Sequence, residues 1–271
     1  MKKLIFALFV AVAATSSTSA QEYKKVFFKT QTVETNDVKV TIDGAVATAR
    51  ETKFKIKLIN KTNDYLIYKP AESTFKIGGK SYNPTEKWVI IRPNDDGSSV
   101  LNIPGTDFLV AADYDFVLDG LYRVNTNTGG ISTPDFKLPA SVNDFKAGNF
   151  AVSLKASKVK KLTARTDVPF DVTYNGDKIG IFEPNKIAMK MPDGKEYANY
   201  HSDRKPEVFE KGKEDSFTVA WKDIPTTSGD MQKDEMTILW RDAFKEVTPD
   251  KMKSQNFTIL FDKETSELKG K

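Results

Sequence analysis

The chain repeats itself, and that repeat limits the fold more than any other feature. Gly79-Lys80-Ser81-Tyr82 returns as Gly194-Lys195-Glu196-Tyr197. At the same separation Thr48-Ala49-Arg50 returns as Thr163-Ala164-Arg165, and Asn60 returns as Asn175. Tyr68-Lys69-Pro70 resembles Phe182-Glu183-Pro184, one residue out of step. An insertion between Tyr197 and Ile224 lengthens the separation once. Beyond it Ile103-Pro104 matches Ile224-Pro225, Val117-Leu118 matches Ile238-Leu239, and Phe136 matches Phe257. Two constant separations joined by one insertion mark a duplicated unit, because chance matches scatter. The boundary falls near Lys146-Ala147-Gly148-Asn149, giving a first domain at 21–148 and a second at 149–271.

Within each copy the apolar residues alternate. Phe54, Ile56 and Leu58 are interleaved with lysines, Val168, Phe170, Val172 and Tyr174 follow the same rule, and so do Phe217, Val219 and Trp221. Period two is the pattern of a strand with one buried and one wet face. Gly78-Gly79 and Asp193-Gly194 supply the backbone freedom of tight hairpins. The Gly-Lys pairs are therefore turn residues; a phosphate-cradling loop needs GxxxxGK[ST] and a following helix, and neither is present. The best helical stretch is short, around Asp242-Ala243-Phe244-Lys245. Many short strands between turns predict an all-β protein of two tandem antiparallel β-sandwiches arising from an internal duplication.

Three features, Asn60-Lys61-Thr62 after a core strand, Gly79-Lys80-Ser81-Tyr82, and a strand ending in Ile103-Pro104, resemble the immunoglobulin-like domains of exported bacterial proteins of unknown function. The resemblance spans most of both copies. It implies immunoglobulin-like sandwiches acting as binding or accessory modules, and it carries over no catalytic residue. Neither copy has the cysteine pair of antibody domains.

The N-terminus adds a destination. Lys2 and Lys3 precede an apolar core, Leu4 to Ala14, and a small-residue run ending at Ala20, the pattern of a secretory signal at 1–20. The core is shorter than the ~20 residues a membrane-spanning helix needs. No transmembrane segment follows it. The expected location is periplasmic or extracellular. The chain has no cysteine, so disulfides, thiolate metal sites and cysteine nucleophiles are all excluded. Its formal net charge is +4, with lysines and acids interspersed along 271 residues, which gives no basic block for nucleic acid.

Chemistry is scarce. His201 is the single histidine, in Tyr200-His201-Ser202-Asp203, and no GxSxG serine accompanies it. Zinc sites gather several His or Cys ligands, so no metal or other cofactor is expected. Asp113 and Asp115 share a face if Ala112 to Phe116 is a strand, and Asp95-Asp96 lie in a loop; both read as solvated turn acids rather than a Ca²⁺ loop or a glycosidase pair. Trp221 and Trp240 lie in apolar runs and read as core. Trp88 follows the polar loop Asn83 to Lys87 and is the first candidate for partner contact, with Tyr200 and His201 in the divergent loop of the second copy. The later separation would pair Trp88 with Phe209. The sequence thus reads as an exported, non-enzymatic binding or accessory module for a protein or cell-surface component, with carbohydrate as the nearest variant. The alternatives are a carboxylate-based hydrolase of an envelope or extracellular polymer, or a structural spacer.

Overall fold

The computed structural model describes residues 23–106, 108–201, 203 and 205–271; the expected signal at 1–20 lies outside the described residues. The described chain is all-β, in antiparallel sheets of which none closes into a barrel, with one α-helix at Lys263–Lys269. Two sandwiches share one strand plan.

In the first, Val38–Thr48, Glu51–Asn60 and Asp96–Pro104 form one layer, with Lys25–Phe27 and Gln31–Glu34 both paired to Val38–Thr48. The facing layer is broken across its middle. Tyr65–Tyr68 leads through a 3-10 turn, Pro70–Glu72, into Thr74–Ile77, and Tyr114–Leu118 leads through Asp119-Gly120 into Leu121–Val124. Pro70 has no amide for a ladder, and Gly120 takes φ +76. A Cβ on Gly120 would lie 2.5 Å from the Lys69 carbonyl oxygen, so only glycine fits there.

The second sandwich repeats this plan. Phe150–Leu154, Arg165–Tyr174 and Glu214–Lys222 make its unbroken layer. Ile179–Phe182 turns through Pro184–Lys186 into Ala188–Lys190, and Met236–Leu239 turns into Phe244–Val247. At that last corner the chain uses Arg241 and Asp242, both at positive φ, where the first sandwich uses Gly120. The helix read at 242–245 is therefore absent. Two consecutive left-handed residues end one strand, and Phe244–Val247 pairs with Ile179–Phe182 as the next.

Strand register fixes which residues correspond. Thr52 faces Ile103, and Thr166 faces Trp221; Phe54 faces Leu101, and Val168 faces Val219. Ile103 thus corresponds to Trp221, not Ile224, and Asn60 to Tyr174, not Asn175. Tyr82 and Tyr197 do correspond, facing Phe75 and Met189. The hairpin glycines Gly78, Gly79 and Gly194 all have positive φ, as their turns require.

The cores do not divide at the expected boundary of 148. Phe136–Leu138 pairs with Met236–Leu239 and sits in the second core. Gln255–Ile259 pairs with Tyr114–Leu118 and puts Phe257 and Ile259 in the first core. The first sandwich is thus residues 23–124 and 250–271, and the second, 131–247, is inserted within it. Residues 24–27 and 266–270 close the first sandwich together. The amides of Lys24 and Lys25 donate to the Gly270 carbonyl, and the Phe27 amide donates to Ser266 Oγ. Phe136 and Phe257, alike in the repeat, thus exchange places, each buried in the core of the other copy.

A third apolar cluster joins the two sandwiches. Tyr65, Ile67 and Val124 of the first meet Ile179, Ile181, Val208 and Val247 of the second. This explains why Tyr65–Tyr68 and Ile179–Phe182 are buried at every position. Alternate residues serve their own core, and the others serve the seam. Each such side chain contributes about 1.5–3 kcal/mol relative to exposure. Beside the seam Lys245, itself buried, pairs with Glu183 at 2.8 Å and donates to the Thr126 carbonyl at 2.6 Å, tying the crossing chain to the second sandwich.

Candidate functional site

The seam has a rim, and that rim carries Trp88. The ladder pairs Ile67 with Ile90 and with Tyr122, so these side chains share the seam face of the first sandwich. Trp88 enters the same cluster half-buried. Lys69, at the break in the strand, places Nζ 4.0 Å from the Trp88 ring centroid and 4.6 Å from that of Tyr122. Each such contact contributes about 0.5–1 kcal/mol in an exposed setting. The Tyr122 hydroxyl donates to Glu72 at 2.7 Å, and Lys251 bridges Glu72 and Asp119. Burial first, and then the Glu72 carboxylate, push the Tyr122 hydroxyl above the usual phenol range. The rim is therefore fixed in place: an aromatic and aliphatic strip held by one lysine and bordered by a small ionic network.

The two sandwiches treat this segment differently. Tyr68 faces Val89 while Phe182 faces Glu207, so Ile90 corresponds to Val208 and Trp88 to Pro206. The expected match of Trp88 with Phe209 fails, because Phe209 takes the place of Ile91. Val208 is 3 % exposed, and the Pro206 carbonyl accepts from the Tyr65 hydroxyl at 3.4 Å. Ile90 is 41 % exposed. The seam is thus not a perfect two-fold contact. It covers this segment in the second sandwich and leaves the same segment of the first open.

Tyr200 and His201 stand elsewhere. The Tyr200 amide donates to the Ala220 carbonyl at 2.7 Å, which lays this loop along Glu214–Lys222. Tyr200 is 59 % exposed, and its ring meets His201 edge-on at 5.4 Å. Among the described residues neither makes a ring contact or hydrogen bond with Trp88. Trp221 and Trp240 are buried in the second core. Asp113 accepts from the Phe261 amide and Asp115 from the Thr258 hydroxyl, so both acids dock the C-terminal strand. Asp96 pairs with Lys57, and Asp95 accepts from the Asp96 amide. Among the described residues no group of three His, Asp or Glu converges to hold a metal ion. No described helix is long and apolar enough to cross a membrane.

Sequence reasoning missed Ile90 and Lys69; Tyr122 belongs to the aromatics it held open as a stacking platform beside Trp88. Within Trp88-Val89-Ile90-Ile91, only the position of the other sandwich shows which residues stay open.

No family model matches the chain, and no curated protein matches it. Among solved structures, the SENS161-164DSSN mutant of Bacillus subtilis oxalate decarboxylase OxdC is 9% identical to it. That alignment covers 82% of this chain and 79% of the other at a TM-score of 0.13, which supports no argument.

Proposed function

We propose that this protein is an exported, non-enzymatic module that binds a protein or cell-surface component through the Trp88–Ile90 rim of its first sandwich. The observation that carries this reading is the unequal burial of Ile90 and Val208. The same strand position is sealed by a neighbouring sandwich in one copy and open in the other. The open copy is flanked by Trp88 and Tyr122, residue types enriched at binding interfaces, with Lys69 stacked over both rings. Tyr200 and His201 form a separate surface on the second sandwich and are not part of this contact.

The test is capture of partners from the organism's own envelope extract by residues 21–271, with Trp88→Ala and Ile90→Asp as comparisons. A specific partner that both substitutions lose supports the rim as the contact. A partner retained at full recovery by both variants removes the rim from the account.

A further inference from the structure

The corner where the broken layer turns is filled in one sandwich and hollow in the other. Ladder register makes Glu72 correspond to Lys186 and Asp119 to Arg241. The Met252 amide donates to the Leu121 carbonyl and the Ile131 amide to the Phe244 carbonyl, each at 2.8 Å, so Lys251 corresponds to Gly130. In the first sandwich Lys251 reaches into the corner and bridges Glu72 and Asp119, each at 3.1 Å. Asn83 Nδ2 ties the floor, donating to Thr74 Oγ1 at 3.1 Å and to the Ser73 carbonyl at 2.6 Å.

The second sandwich replaces all three of these groups. Gly130 stands in place of the lysine, and Ala188 and Ala198 stand where Thr74 and Asn83 bond. A hollow of about 520 Å³ remains, within the ~300–1,000 Å³ range of small-molecule sites. The crossing chain forms part of its frame. A Cβ on Gly130 would lie 2.3 Å from the Asp242 Cβ, so only glycine lets that chain press against Asp242. Arg241 and Asp242 both line the hollow and stand at φ 40 and 52, where glycine is the unstrained residue. Backbone strain of this kind gathers at ligand-binding sites.

The lining says what fits. Its cations are Lys186 and Arg241 and its acids Glu196 and Asp242, so an ion meets no net charge there. Arg241 pairs with Glu196, and Lys186 reaches Glu183 behind the wall at 2.7 Å. Pairing leaves much hydrogen-bonding capacity unused, because a guanidinium has five N–H groups and a carboxylate about four acceptor positions. The Asn185 amide adds a donor and an acceptor. Donors and acceptors side by side suit hydroxyl groups, each of which gives one hydrogen bond and accepts others. Tyr197, half-buried against the second core, and the two alanines supply apolar surface for C–H faces.

We propose that this hollow binds a neutral saccharide, with hydroxyls on Arg241, Asp242, Glu196 and Asn185 and a C–H face toward Tyr197. Hydrogen bonds to the charged groups supply the stronger contacts. The site belongs to the second sandwich and is independent of the Trp88–Ile90 rim.

The probe is an array of neutral glucans, mannans, galactans and N-acetylglucosamine oligomers beside uronic-acid and sulfated glycans, read with labelled residues 21–271. The best-retained glycan is then titrated calorimetrically against the parent, Arg241→Gly, Asp242→Gly, Ala198→Gln and Trp88→Ala. Glycine suits both corner positions, and Ala198 is exposed at a strand end, so these variants keep a melting temperature close to the parent's. Ala198→Gln fills the hollow rather than removing its groups. Retention of neutral glycans is expected, weakened at least tenfold by each of the three hollow variants and unchanged in Trp88→Ala. No retained neutral glycan, retention of acidic glycans alone, or full affinity in all three hollow variants overturns the proposal. Loss of the glycan in Trp88→Ala alone assigns the saccharide to the rim and overturns the hollow.

Discussion

Substituting Phe257 and Phe136 separately should destabilise the opposite sandwich from the one sequence order assigns. Phe257 is buried against Phe116 of the first sandwich, and Phe136 packs against Phe170 of the second. Truncating a buried phenylalanine to alanine costs about 3–5 kcal/mol in transfer and cavity terms. That is a large share of the ~5–15 kcal/mol that holds a typical domain. At about 1.4 kcal/mol per factor of ten, the open population should rise by roughly two to three and a half orders of magnitude. Hydrogen exchange read by mass spectrometry places that opening. Phe257→Ala should lose protection in Val38–Thr48 and Glu51–Asn60 and retain most of it in Phe150–Leu154 and Arg165–Tyr174. Phe136→Ala should do the reverse. If Phe257→Ala instead opens Arg165–Tyr174 and spares Glu51–Asn60, the insertion of one sandwich into the other is wrong.

Two further outcomes follow from buried polar groups. Lys245→Met strips one cation from Glu183, which keeps Lys186 at 2.7 Å, so the loss in a urea titration should fall near the lower end of ~3–5 kcal/mol. Glu183→Leu combined with Lys245→Met should recover much of it, and a double variant as unstable as the sum of both would contradict the pairing. Alkaline pH should weaken the fold. Burial pushes the hydroxyls of Tyr68 and Tyr114 above the usual phenol range, and burial followed by the charges of Glu246 and Asp177 pushes Tyr174 up to about 12. A proton held more tightly by the folded state gives stability that is whole below about pH 10 and declines as pH rises past it. Thermal melts from pH 8 to 12 should show that decline, with a shallower slope in Tyr174→Phe.

Much of the architecture was legible because period two and turn glycines are local signals. Phe54-Lys55-Ile56-Lys57-Leu58 and Gly78-Gly79 each specify their own geometry. Pairing across the chain is not local. Phe136 and Phe257 occupy the same place in the repeat, so matching them cannot reveal that each completes the other copy's sheet. The corner at Arg241-Asp242 was misread because the chain adopts positive φ there without glycine. Tyr65-Leu66-Ile67-Tyr68 did carry a signal for the seam. An unbroken apolar run between polar turns marks a strand covered on both faces, and the same holds for Ile179 to Phe182. Trp88 could be picked out by the polar loop before it. Its setting could not, because the difference between Ile90 and Val208 arises only when the two sandwiches dock off-axis.

The most direct measurement of the central claim is site-specific photocrosslinking in the living envelope. Benzoylphenylalanine replaces Ile90 in one version and Leu162 in the other; Leu162 is a comparably exposed position on the second sandwich, 54 % against 41 %. Binding through the first-sandwich rim predicts a discrete adduct from position 90 and none from 162. Adducts from 162 alone, or none from 90 with the protein folded and exported, would contradict it.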